Sequence, residues 1–371
     1  MKQIRDAIVI GSGIIGSATA LALTRVGIKR VTLIEKGPLV SGMTRRNAGL
    51  VHPFHSHLLL CELAGASYDF YNQWAVLLGG KSSFIETGAA VVTNFEAREQ
   101  FAFWSQHTDA NEIAPTALNV LFPSVINNFR AAMFTPRAGY ADAVLTAQAM
   151  VNAAKERGLQ VQTGTQVKQI VVEQRQIKGV KTTTGEMEAP TVIVAAGGWS
   201  GRLLLPLGVA LHLRFRRGVV NFYEQPPTLT QEMPMLLDAN GAFFLRPHPY
   251  RMCAAGRVSL DAQTPGVDAL DDFVSASETA SVKQFVEACI PEFAGVQPKR
   301  AHTVLHDAPS DGLPAFGRVA NVNGLYVAAG FGTSAFSIAP AVGETLAQML
   351  IDGNAARDVS LFDPLRASLR N

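Results

Sequence analysis

Asp6-Ala7-Ile8-Val9-Ile10-Gly11-Ser12-Gly13-Ile14-Ile15-Gly16 stands near the N-terminus, and Val31-Thr32-Leu33-Ile34-Glu35 follows a stretch of small and apolar residues. The order is apolar strand, glycine turn, small-residue helix, second strand, acidic residue. Each part has a task in holding a dinucleotide. Gly11 permits a tight turn, Gly13 lets the backbone approach a pyrophosphate, and Gly16 allows close packing of helix on strand. The helix N-terminus offers unpaired N–H groups and partial positive charge to phosphates. Glu35 places a carboxylate where ribose hydroxyls can donate to it.

The rest of the chain suits such a domain. Its 371 residues are 48% apolar and 17% charged, enough for two packed domains and too apolar for a disordered chain. A net charge of +2 with no basic run argues against a nucleic-acid surface. Cys61, Cys253 and Cys289 show no CxxC or metal-ligand spacing and read as thiols in a reducing compartment. Glycines break the first apolar stretch and Asp6 precedes it, so it reads as strand and turn rather than a leader. No segment has the ~20 unbroken apolar residues of a spanning helix. The expectation is a cytoplasmic chain, able to sit peripherally on the inner membrane.

Along the chain, apolar residues at helical spacing run from Leu58 to Leu78, and Phe84 to Val92 reads as a turn and strand. An amphipathic stretch with Phe95, Phe101, Phe103 and Trp104 follows. Asp142 is a candidate N-cap for a helix reaching about Arg157. Two short strands with a turn at Gly185 come next, then the buried-strand pattern Thr191–Ala196. Leu211–Tyr223 and Met233–Arg257 are strand-rich, with Asn240-Gly241 predicting a type I′ hairpin turn. Asp261–Phe293 has an acidic start and then helical periodicity that includes Phe273. Gly324–Gly330 is again a buried strand, and a last helix is expected to enter at Pro340 and end near Ile351. The fold class is therefore α/β (α+β overall). A dinucleotide domain is assembled from 1–85, 140–205 and 310–371. A mixed, largely antiparallel substrate domain is built from 86–139 and 206–309.

Several motifs together resemble the D-amino-acid oxidase family of FAD-dependent oxidoreductases, nearest to glycine oxidase and sarcosine oxidase β-subunit-like chains. They are the Gly11–Gly16 turn with Glu35, Arg46-Asn47-Ala48-Gly49, Gly139-Tyr140-Ala141-Asp142, Ala195-Ala196-Gly197-Gly198-Trp199-Ser200, Asp311-Gly312-Leu313-Pro314 and Ala329-Gly330-Phe331-Gly332. The resemblance spans almost the whole chain. It implies FAD, with Gly11, Ser12, Gly13, Ile14, Ile15 and Gly16 at the pyrophosphate, Glu35 at the adenosine ribose and Lys36 among the cofactor-binding residues. Arg45, Arg46, Asn47, Ala48 and Gly49 would run beside the phosphates and flavin. Val167, Ala195, Ala196, Gly197 and Trp199 would border the cofactor, and Gly330, Phe331, Gly332, Thr333 and Ser334 would bring backbone N–H groups to the flavin ring. The family's covalent-attachment contexts are missing, so FAD is expected to be non-covalent.

The implied reaction is oxidation of a C–N bond: hydride leaves the α-carbon for the flavin and the imine hydrolyses. Relatives do this as stand-alone oxidases making peroxide or as catalytic β-type subunits of heteromeric dehydrogenases acting on sarcosine, proline, D-hydroxyproline or opines. The subunit form, with electron-transfer partner subunits, is the leading expectation. The glycine oxidase pattern has a carboxylate-binding arginine shortly before Asp-Gly-Leu-Pro, and His306 occupies that register here. A histidine has fewer donors and is only partly charged near neutrality. Arg246 and His306 are the candidate replacements, with Arg214, Arg216 and Arg217 behind them. His52 and His55 are candidates for the rim of the active site, and His52, His55 and His57 lack the carboxylate or cysteine of a metal site. No metal is expected. A nicotinamide-dependent dehydrogenase and an inactive flavin-binding subunit are the competing classes.

Overall fold

The computed structural model describes residues 6–125, 129–229, 233–264, 266–269 and 273–369. Strand β1 (Asp6–Ile10), helix α1 (Ile14–Arg25) and strand β2 (Arg30–Ile34) form the expected βαβ unit. β1 is the centre of a six-stranded sheet ordered Ala315–Arg318, Leu325–Ala329, Val192–Val194, β1, β2, Gln160–Gln162. All neighbours are parallel except the antiparallel Ala315–Arg318 edge. Successive β1 residues point to opposite faces. Ala7 and Val9 enter the core under α1, while Ile8 and Ile10 enter a second core with Ile170, Ile177 and Val180. Burial on both faces is why the strand reads as a continuous apolar run.

One face carries α1 and the C-terminal helix Ala335–Asp352, so close that a Cβ on Gly343 would lie 2.7 Å from the Ala18 backbone. The other face carries a three-stranded antiparallel meander over Val167–Glu188. The second large sheet has eight strands in the order Arg300–Ala308, Arg214–Glu224, Met252–Thr264, Phe243–His248, Met235–Asp238, Ala89–Thr93, Ala131–Thr135, Asn111–Ile113. It is antiparallel except where Met235–Asp238 runs alongside Ala89–Thr93. Strands of the six-stranded sheet thus come from residues 6–34, 160–162, 192–194 and 315–329, and those of the eight-stranded sheet from 89–135 and 214–308.

Four local expectations are corrected. The last helix begins at Ala335, with Pro340 inside it. The bonds that the proline disrupts are made by side chains, the Tyr71 hydroxyl donating to the Phe336 carbonyl and the Ala341 N–H donating to Ser67 Oγ. The Asn240-Gly241 turn is not type I′: only Gly241 has positive φ, and four residues separate the strands. The Gly241 N–H closes the turn on the Asp238 carbonyl. Between 160 and 188 there are four strands rather than two, because the polar faces of the meander hid its alternation. Finally, Met252–Thr264 continues as one strand through Asp261, and the following helix is Ala276–Cys289. Its start is set by a Ser275–Glu278 capping box, leaving Phe273 exposed outside it.

Asp142 caps the Ala143–Lys155 helix as expected, accepting from the N–H groups of Val144 and Leu145.

Candidate active site

A cleft opens at the carboxyl ends of the parallel strands. Ile10, Ile34, Ala195 and Ala328 line it at or beside the ends of four neighbouring strands. β1 lies between strands reached by chain running in opposite directions across the sheet, the switch point at which α/β sheets bind ligands. The cleft encloses about 1330 Å³ of space between protein atoms, part of it open to solvent.

At one end stands Glu35, buried, with its carboxylate already organised. Oε2 accepts from the Ser12 N–H (2.9 Å) and Ser12 hydroxyl (2.8 Å), and Oε1 accepts from the Gly37 N–H (3.1 Å). A carboxylate has about four acceptor positions, so directions remain for a ligand's hydroxyls. Ser12 is itself enclosed, its Oγ receiving the Val40 N–H, and it acts as a clamp behind Glu35 rather than as cleft lining. The glycine turn is packed to its limit. A Cβ on Gly11 would sit 2.5 Å from the Ala195 carbonyl oxygen, and one on Gly16 would sit 1.9 Å from the Gly11 carbonyl oxygen. Gly11, Gly13, Ile14 and Ile15 line the cleft, and Gly16 supports them from beneath.

The N-terminus of α1 faces the cleft with no side-chain cap from its own N-cap residue. Thr44 Oγ1 accepts the Ile14 N–H at 2.9 Å. Thr44 lines the cleft and was missed by sequence reasoning, because a threonine inside a loop carries no motif signal.

The Arg45–Gly49 loop divides its residues. Asn47 lines the cleft and its Oδ1 holds the Gly49 N–H at 2.8 Å. Gly49 has φ +70° and meets Ala141 so closely that a Cβ would lie 1.8 Å from its carbonyl oxygen. This contact couples the loop to the Gly139–Asp142 motif. Arg45 is exposed, and Arg46 reaches across to Thr303, Nη1 donating to Oγ1 at 2.9 Å. Ala48 receives Arg246 through its carbonyl.

At the near end, Lys36 Nζ lies 3.5 Å from the centroid of the Trp199 ring. Trp199 donates through Nε1 to Asp268 Oδ1, and Arg202 pairs with Asp268 Oδ2. Lys36, Val167, Ala195, Ala196, Gly197, Trp199 and Arg202 all line the cleft there. At the far end the lining is Gly330, Phe331 and Gly332, with His306 and Asp307 from the end of the Arg300–Ala308 strand. Thr333 and Ser334 do not line it. Burial lowers the His306 pKa to about 4, and its ring bonds to the Gly332 backbone, so the imidazole is neutral at physiological pH. The Asp311-Gly312-Leu313-Pro314 motif works elsewhere: Asp311 takes a bidentate contact from Arg366 (2.8 and 2.9 Å), which ties down the chain's last turns.

Arg246 is 5% exposed. Its Nε donates to the Ala48 carbonyl (2.8 Å) and Nη1 to the Pro247 carbonyl (2.8 Å), while the guanidinium stacks over Tyr140 at 4.4 Å. Burial lowers its pKa to about 10, which leaves it cationic at neutrality. It pairs with no carboxylate among the described residues. His52 and His55 lie outside the cleft lining, stacked 5.0 Å apart, with His55 Nδ1 3.2 Å from Ser334 Oγ. His57 caps α2 (Leu58–Asn72), its ring accepting the Leu59 N–H. Arg217 pairs with Glu278, and Arg214 and Arg216 are exposed.

The family described as FAD dependent oxidoreductase (DAO) matches residues 6–349. The chain belongs to this family. It is an FAD-dependent oxidoreductase, as the nicotinamide alternative is not. Among curated relatives it is 27% identical to the oxidoreductase YurR of Bacillus subtilis, covering 97% of this chain and 98% of the relative. Against the glycine oxidase of Pseudomonas aeruginosa it is 25% identical, over 96% and 98%. It is 24% identical to human mitochondrial dimethylglycine dehydrogenase over 98% of this chain, but spans only 44% of that longer protein. The fold is that of L-proline dehydrogenase from P. horikoshii, with a TM-score of 0.88 at 23% identity, covering 99% and 98% of the two chains.

The residues present fit FAD. The pre-set Glu35 carboxylate, the N-terminus of α1, where Thr44 holds the Ile14 N–H, and the glycine approach suit the ADP half, and Gly330–Gly332 line the far end, where a flavin ring would lie. No described helix is long and apolar enough to cross a membrane.

Proposed function

We propose that this enzyme oxidises the C–N bond of an amino acid, imino acid or secondary amine that carries a carboxylate. The six-stranded-sheet segments would hold FAD and the eight-stranded-sheet segments the substrate. Arg246 carries this reading: a buried guanidinium behind the cofactor loop, just outside the cleft lining, hydrogen-bonded to no carboxylate among the described residues and with only the more distant Asp142 carboxylate favouring its charge, suits a ligand carboxylate. His306, at the register of the family's arginine, is the weaker clamp in this reading, since burial lowers its pKa to about 4 and its ring bonds to the Gly332 backbone. Bound FAD supplies the hydride acceptor. The chain's own groups align the substrate carbon and exclude water, and the imine released hydrolyses. Relatives named as glycine oxidase, sarcosine oxidase and dimethylglycine dehydrogenase support this substrate class.

We further propose that the chain works as the catalytic β-type subunit of a heteromeric dehydrogenase, with FAD bound non-covalently. Electron transfer to oxygen builds negative charge, which a nearby cation stabilises. The cations lining the cleft among the described residues, Lys36 and Arg202, are both at the Glu35 end, and His306 at the other end is neutral. The isolated chain should therefore be reduced by its substrate anaerobically but form peroxide slowly in air. Fast peroxide formation would instead make it a stand-alone oxidase. Acid precipitation should leave the yellow flavin in the supernatant.

A further inference from the structure

Asp307 has no place in the reading above, yet it is among the most unfavourably placed groups in the protein. It is 6% exposed and lines the cleft at the Gly330 end. Its Oδ2 is enclosed without a hydrogen-bond partner among the described residues. Only the backbone N–H groups of Gly330 and of Asp307 itself approach the carboxyl, and burial pushes its pKa up to about 7. Phe215 is its partner on the neighbouring strand, and no lysine or arginine bonds to it among the described residues. A carboxyl oxygen enclosed without a partner is destabilising, and a ligand that supplies the missing bond removes that penalty.

We propose that Asp307 is a positioning residue for the flavin, its Oδ2 hydrogen-bonding the pyrimidine edge of the isoalloxazine ring. That edge is where oxidised flavin presents its one ring N–H between two carbonyl oxygens, so it can complement a carboxyl in either protonation state. The dimethylbenzene edge has no polar atom and could not. The inference rests on the proposed function, in which FAD fills the cleft, and on its flavin ring lying at the end lined by Gly330–Gly332.

The test uses the full chain stripped of FAD and titrated with FAD, read by flavin fluorescence and the visible absorption bands. Asp307→Ala should raise the FAD dissociation constant about tenfold or more, the worth of a lost charged hydrogen bond, and shift the bands. Asp307→Asn keeps an acceptor and a donor in the same volume, and should stay within about threefold of the native chain. That rescue would not occur if the negative charge alone mattered. Unchanged affinity and spectrum in Asp307→Ala would overturn the role of Asp307, as would an Asn variant as weak as Ala with an unaltered apo-protein melting temperature. Gly332→Ala separates the two layers of the argument: its Cβ meets no protein atom nearer than 3.7 Å (Ala308), and because φ is +56° the strain it adds to the turn is read from the melting temperature of the FAD-free variant beside its spectrum. A spectrum shifted by Gly332→Ala but not by Asp307→Ala overturns Asp307 only. A spectrum shifted by neither overturns the placement of the ring as well.

Discussion

The Tyr71 hydroxyl donates to the Phe336 carbonyl at 2.8 Å, the acceptor left open because Pro340, four residues on, has no N–H. The two rings stack at 5.4 Å and Tyr71 is fully buried, so α2 is fastened to the C-terminal helix at its proline. Tyr71→Phe should cost about 1–3 kcal/mol, the penalty of an unsatisfied buried carbonyl. In a Pro340→Ala background the helix regains its own bond, and the same substitution should cost less. Denaturant unfolding of the four proteins in a double-mutant cycle reads the coupling; equal costs in both backgrounds would refute it.

Gly16→Ala should damage both the fold and the cofactor site. Its methyl group would lie 1.9 Å from the Gly11 carbonyl oxygen, which is backbone and cannot step aside. Overpacking of this kind costs about 1–3 kcal/mol, and the displaced turn should release FAD. Gly65, with nothing near its Cβ position, is the control: Gly65→Ala should be neutral or stabilising.

Arg246→Met should raise KM about tenfold to a hundredfold for carboxylate-bearing amines, reflecting a lost charge-assisted bond. The KM for an amine without a carboxylate should change little. Steady-state kinetics with an artificial electron acceptor, over a paired panel of such substrates, checks this. An equal loss on both classes would assign Arg246 to holding the Ala48 loop instead.

Stability of the FAD-free protein should depend on pH through two buried histidines and an opposed buried aspartate. Burial lowers His55 and His306 to about 4. Between about 6.5 and 4 the unfolded chain binds protons that the folded chain excludes, so stability falls as pH falls across that window. Burial raises Asp307 to about 7. Between about 4 and 7 the folded chain holds a proton that the unfolded chain releases, so this group's contribution falls as pH rises. Denaturant midpoints from pH 4 to 8 should show His55→Gln reducing the acid loss and Asp307→Asn removing part of the decline toward neutrality.

The βαβ unit, the Asp142 cap and the buried strands were legible because each depends on neighbours in sequence: glycine spacing, a capping side chain, an unbroken apolar run. The family resemblance extended this to the cofactor. What stayed hidden depends on contacts between distant segments. Pro340 reads locally as a helix start, and it is tolerated inside the helix only because Tyr71 and Ser67 arrive from α2. Thr44 meets the Ile14 N–H, and Arg246 meets Ala48, across 30 and 198 residues of chain. His306 and Asp307 are adjacent in sequence, yet burial drives their proton affinities in opposite directions, to about 4 and about 7. The glycine turn and its βαβ setting could be read from residues 6–35 alone, since that motif is local backbone geometry. Which charges survive near the far end of the cleft depends on the assembled chain, because desolvation and pairing are properties of a group's surroundings rather than of its residue type.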